Sequence, residues 1–155
     1  MDFDHAFAMN WLNSLPIQTW DDKFQWACKE GNLDFVQCIY ELSQSQLTEN
    51  DILKGFEKAC YFGKLEIVQW LYFTCKLQLE TSNMDIKNIF LDTCFYNQVE
   101  IAKWIYTTFQ LSLNFAHFAF DKCMARGFKT RPWSVIQWLQ SLSSEEWKAP
   151  GYTLL

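Results

Sequence analysis

The sequence predicts an all-α fold, a helical-repeat solenoid of about four helix-turn-helix pairs with an N-terminal half repeat. Three observations predict it. First, the strings FQWACKEGNLDFVQCI from Phe24, FEKACYFGKLEIVQWL from Phe56 and FLDTCFYNQVEIAKWI from Phe90 are versions of one another. Second, Cys28, Cys60, Cys94 and Cys123 mark one place in successive copies, 32, 34 and 29 residues apart. Third, Gly31, Gly63 and Asn97 follow their cysteines by three residues, and glycine and asparagine are the residues that most readily take the positive φ that ends a helix. A period of this size with two helices per unit means hairpins that bury their apolar faces on their neighbours.

Each element follows from this alignment. The stretch MNWLNSL, residues 9–15, is similar to IQWLQSL, residues 136–142, so the chain opens on a lone second helix, a half repeat over residues 5–20. Full repeats are expected at about 22–53, 54–87, 88–117 and 118–142, with a capping tail over 143–155, all in one domain. In the first helix of the first three copies the Phe, a small residue and the Cys stand at i, i+3 and i+4 and share one face, while the fourth copy has Lys122 before its Cys123. Leu33, Leu65 and Val99 then restart the apolar pattern in a longer second helix, with Asp34, Glu66 and Glu100 in its first turn, where acid favours the dipole. Thr48 or Asn50 is placed to cap the helix that leads to Phe56. The fourth copy has grown by five residues around GFKTRP, and Pro132 is placed to open its second helix, in which Trp138 is expected to be buried. Ser143 and Glu146 have capping-box spacing at the start of the tail.

The best copy, ACYFGKLEIVQWL at 59–71, resembles the core of the ankyrin repeat, with looser matches at 27–39 and 93–105. In style it is similar to the divergent ankyrin-like repeats of large DNA viruses of amoebae. The resemblance implies a protein-protein interaction module, with a host protein as partner and the host cytoplasm as compartment if the source is viral. Two family features are missing: Lys54-Gly55-Phe56-Glu57 replaces the usual opening motif, and the turn after the second helix has no counterpart. The connecting stretches carry alternating leucines, such as Leu77 and Leu79 or Leu111 and Leu113. Extended segments or extra helical turns are expected there in place of β-hairpin fingers.

Composition excludes several functions. The 155 residues are 50% apolar and 18% aromatic, enough for a substantial core. A net charge of −5 argues against nucleic acid, whose phosphates require clustered Lys and Arg. The N-terminus begins with acids where a leader would be basic, and no apolar run approaches the roughly 18 residues that span a bilayer, so a cytoplasmic protein without membrane contact is expected. The six cysteines lack the spacing of a zinc site, and His5 and His117 are the chain's two histidines. Free thiols, no metal and no cofactor are expected. No phosphate loop, HExxH or GxSxG motif occurs, and a catalytic role is not expected.

The expected site follows the repeat cysteine. The next two residues read Lys29-Glu30, Tyr61-Phe62, Phe95-Tyr96 and Met124-Ala125, and they lie at the helix end, beyond the buried stripe. In ankyrin repeats the matching positions lie on the concave face and contact partners. Tyr61, Phe62, Phe95 and Tyr96 are therefore the expected partner-binding residues, with Trp26 and Lys58 at the edge. The alternative function is structural, the aromatic surfaces joining copies of the chain into homo-oligomers.

Overall fold

Each repeat cysteine is fully buried, and so are Phe24, Phe56 and Phe90 four residues before the first three of them. That single fact organises the fold. The computed structural model describes residues 5–43 and 45–146, and among these it contains ten α-helices, one 3-10 turn and no strand. Two compact units divide the chain, residues 1–85 and 86–155.

The N-terminal unit contains α1 (His5–Ser14), α2 (Trp20–Glu30), α3 (Leu33–Ser43), α4 (Glu49–Tyr61), α5 (Leu65–Thr74) and the short α6 (Lys76–Thr81). Helix α2 pairs with α3 and α4 with α5; α2 also packs on α4, α3 on α5, and α1 on α3. Thr19 starts α2 by accepting the amide of Asp22. Thr48 starts α4 through a capping box with Asp51: its hydroxyl accepts the Asp51 amide at 3.2 Å, and the carboxylate accepts the Thr48 amide at 2.9 Å. Asn50, the other candidate cap, lies inside the helix. Gly31 ends α2 at φ 92° and Gly63 follows α4 at φ 75°.

After α5 the chain adds an extra helical piece, not a hairpin. Helix α6 folds against α4 and α5, with Leu79 buried and Leu77 exposed. Residues two apart share one face of a strand but lie about 200° apart around a helix at 3.6 residues per turn. The helix therefore buries Leu79 and turns Leu77 outward, where a strand would have placed both on one side.

The C-terminal unit contains α7 (Ile86–Phe95), α8 (Val99–Thr108), α9 (Leu113–Met124), a 3-10 turn (Phe128–Thr130) and α10 (Trp133–Glu146). Helix α7 pairs with α8 and α9 with α10; α7 also packs on α9, and α8 on α10. Thr93 replaces the alanine of the earlier copies. Its buried hydroxyl donates to the Ile89 carbonyl at 2.7 Å, which removes the cost of burying it. Ser112 caps α9 by accepting the Phe115 amide. Most of the stretch from Leu113 is thus helix, not connection.

Asn97 has two tasks in this unit. It takes φ 59° at the end of α7, and its Oδ1 accepts the amide of Val135 at 3.1 Å, a free donor in the first turn of α10. The second contact joins consecutive hairpins. Asn97→Gly keeps the turn and loses the cap, and is expected to cost about 1 kcal/mol; Asn97→Ala loses both, and is expected to cost about 2 kcal/mol. Urea unfolding of the two variants checks the order.

Two expectations are corrected. Trp138 is half-buried, because its ring rests edge-on against Phe90 and Tyr106, with centroids 6.3 and 5.9 Å away. Ser143 starts no helix: α10 runs through it to Glu146, and its Oγ lies 2.7 Å from Nε2 of His117. Pro132 opens α10 as expected: it stands one residue before the helix, and its carbonyl accepts the Ile136 amide. The tail from 147 onward lies outside the described residues.

Candidate functional site

Each unit carries one of the two expected aromatic pairs, and the backbone that presents them is the same in both. In the N-terminal unit α4 ends at Tyr61; the Phe62 amide donates to the Lys58 carbonyl at 3.0 Å, Gly63 turns left-handed, and the Lys64 amide reaches back to Ala59 at 2.9 Å. In the C-terminal unit the Tyr96 amide donates to Asp92 at 2.9 Å, Asn97 turns left-handed, and the Gln98 amide reaches Thr93 at 3.1 Å. This is the six-to-one closure of a Schellman turn. It points the residue before the turn away from the core.

The consequence is exposure of large rings. Phe62 is 44% exposed and Tyr96 60% exposed, while Tyr61 and Phe95, one position earlier, are half-buried. None of the four is a core residue, so the connecting segments do not fold over them. A cation from a neighbouring hairpin, the preceding one for Phe62 and the following one for Phe95, attends one ring of each pair. Lys29 Nζ stands 5.0 Å from the centroid of Phe62, and the Arg126 guanidinium 4.9 Å from that of Phe95. Such a contact is worth about 0.5–1 kcal/mol at an exposed site. Lys29 is thus a neighbour of the exposed Phe62 ring.

The two edge residues differ. Lys58 is exposed on α4. Trp26 is half-buried on α2, held by Trp11 of α1 with centroids 5.2 Å apart, and Trp11 in turn meets Phe35 of α3 at 4.6 Å. Trp26 therefore also ties α1 to the first hairpin. Its role in packing was not legible in the repeat, because α1 precedes the aligned copies.

Sequence reasoning missed other exposed rings. Phe128 and Trp133, beside the five-residue insertion around GFKTRP, and Phe73 near the end of α5 are all exposed. The insertion itself was the available signal for the first two. Near the turns, Gly31, Gly63, Lys64, Leu65, Glu66 and Ile67 line a shallow hollow of about 300 Å³.

All six cysteines are free and buried. Burial pushes the thiols of Cys28, Cys60, Cys94 and Cys123 up, that of Cys123 from 9.0 to about 11, so none is poised as a nucleophile. The unfolded chain loses these protons first on raising the pH, so stability is full below about pH 9 and falls as the pH rises from there towards 11. Two measurements check this account: a thiol reagent should react slowly with the native protein and count six thiols after unfolding without reductant, and the melting temperature should fall above about pH 9. Among the described residues, no three His, Cys, Asp or Glu side chains gather to hold a metal ion, and no helix is long and apolar enough to cross a membrane.

No known family model matches the chain, and no curated protein or solved structure resembles it closely enough to carry an argument.

Proposed function

We propose that the chain is a helical-repeat protein of the ankyrin-like kind that binds a partner protein through its exposed aromatic pairs, and that it is not an enzyme. The observation that carries this reading is the repetition of one arrangement: a Schellman turn presents a large exposed ring at the same repeat position in both units, and a cation from the neighbouring hairpin attends the pair. Evolution of a purely structural turn has no need of an exposed ring there, since solvent-facing polar residues close the same turn. Aromatic residues beside a cation supply the rigid, amphipathic contact area on which interfaces concentrate their energy. In this reading Tyr61, Phe62, Phe95 and Tyr96 are the contacts and Trp26 and Lys58 the margin, on what is the concave face in ankyrin repeats. A viral source, with a host cytoplasmic protein as partner, is proposed on the same resemblance.

The test is capture from a cell lysate by the native chain and by the Phe62→Ser/Tyr96→Ser variant. A protein retained by the first and lost by the second supports the reading; equal retention by both contradicts it.

One observation favours self-assembly as a second reading. Phe73 and Leu77, four residues apart across the α5–α6 junction, are 71% and 70% exposed, an apolar pair of the kind that covers itself with a second copy. Light scattering at micromolar concentration separates the two: a monomer removes self-assembly.

A further inference from the structure

The inserted segment of the fourth hairpin departs from the turns of the other copies. In the other copies the helices are joined by a tight turn around Gly or Asn; here residues 127–134, GFKTRPWS, stand in its place. A longer connection needs only polar residues. This one instead leaves Phe128 71% and Trp133 41% exposed, edge to face with centroids 5.3 Å apart.

Arg131 organises the surface. Its Nε donates to the carbonyls of Met124 at 3.1 Å and Arg126 at 3.0 Å, which pins the guanidinium to the end of α9. From there it lies over both rings, 5.9 Å from Phe128 and 5.6 Å from Trp133. Arg126, over Phe95, continues the row, and Lys129 stands exposed on the 3-10 turn. None of these three cations forms an ion pair with a described residue.

The charge balance isolates the cluster further. Residues 1–85 contain 6 basic and 13 acidic side chains, a net −7; residues 86–155 contain 7 basic and 5 acidic, a net +2. Three cations on one short segment, without an ionic partner among the described residues, repel one another, and two exposed rings keep apolar area in water. One kind of ligand relieves both costs: a chain segment that brings carboxylates together with an apolar side chain.

We infer that the Arg126–Trp133 segment is a docking site for an acidic protein segment, its carboxylates on Arg126, Lys129 and Arg131 and an apolar anchor on Phe128 and Trp133. A pinned guanidinium favours carboxylate, which it meets in a bidentate fork. Nucleic acid fits less well, since a phosphate track needs a longer run of cations and the chain as a whole is acidic. An anionic lipid surface fits less well too, because such surfaces are read by clusters of about 4–8 basic residues. The site stands whether or not Phe62 and Tyr96 contact a partner.

The experiment uses the full chain and a fluorescent synthetic peptide of alternating Glu and Asp around one central Phe, read by anisotropy. Its controls are the same peptide with Gln and Asn in place of the acids, an oligothymidylate, and phosphatidylserine vesicles. The acidic peptide is expected to bind, to weaken with added salt, and to lose about tenfold or more in affinity on Lys129→Glu or Phe128→Ser. Both side chains are exposed, so these variants keep the fold, and Lys54→Gln, at an exposed position of α4, is expected to leave the peptide affinity unchanged. Absence of binding, equal binding of the neutral peptide, indifference to both substitutions, or a preference for the oligonucleotide or the vesicles overturns the inference.

Discussion

Replacing Phe90 by alanine is expected to destabilise the C-terminal unit by about 3–5 kcal/mol. The ring is fully buried, and three aromatic neighbours surround it: Phe115 of α9 at 5.8 Å, Trp138 of α10 at 6.3 Å and Tyr106 of α8 at 6.5 Å between centroids. It is therefore the side chain on which all four helices of the unit meet. Truncation removes the transfer energy of the ring and leaves a cavity whose walls are themselves large and rigid, so collapse recovers little. The loss is a large fraction of the about 5–15 kcal/mol that holds an ordinary domain. Denaturant unfolding followed by far-ultraviolet circular dichroism should show a transition at lower denaturant, with Phe90→Leu falling between the native chain and Phe90→Ala.

Enlarging Gly55 is expected to have the largest effect in the N-terminal unit. The residue lies in the middle of α4, where glycine is normally unfavourable by about 1 kcal/mol relative to alanine. Its justification is the close passage of α2: a Cβ at this position would lie 2.6 Å from Cε1 of Phe24 and 3.1 Å from Sγ of Cys28, both fully buried. Neither neighbour is the free end of a flexible chain, so the helices must part. Gly55→Leu is expected to cost about 3 kcal/mol by overpacking, in spite of the better helix propensity. Combining it with Phe24→Ala should recover part of that cost, because the two sites compete for one volume; a double-mutant cycle measures the coupling. Strict additivity would show that the helices do not approach each other there.

Much of this architecture was legible because the repeat wrote it several times over. Phe24, Phe56 and Phe90 with their cysteines marked the buried stripe, and Gly31, Gly63 and Asn97 marked the left-handed turns. Both signals rest on local physics, helical spacing and the penalty for positive φ. What escaped depends on contacts between elements distant in sequence. Gly55 looked like a broken opening motif, and its reason is the ring of Phe24 on another helix. Asn97 looked like a glycine substitute, and its second task is the cap it gives to α10. Gln110, at φ 49° after α8, takes the same left-handed turn without glycine or asparagine to announce it. Of the four rings that repeat position placed outside the core, Phe62 and Tyr96 are exposed, while Tyr61 and Phe95, one step earlier in helix phase, are half-buried. The cations did not show in the sequence, because Lys29 and Arg126 reach the rings from neighbouring hairpins and from different repeat positions.

The central claim is that the helix-end rings are held at the surface for contact, while the rings four residues before the repeat cysteines hold the fold. The measurement that tests it most directly is the melting temperature of the Phe62→Ser/Tyr96→Ser variant, recorded beside its retention of the captured partner. Surface substitutions away from special features change stability by about 0.5 kcal/mol or less, so the account predicts a melting temperature within about 3 °C of the native chain together with loss of the partner. A fall of about 10 °C or more would contradict it, by showing that Phe62 and Tyr96 belong to the packing of their hairpins.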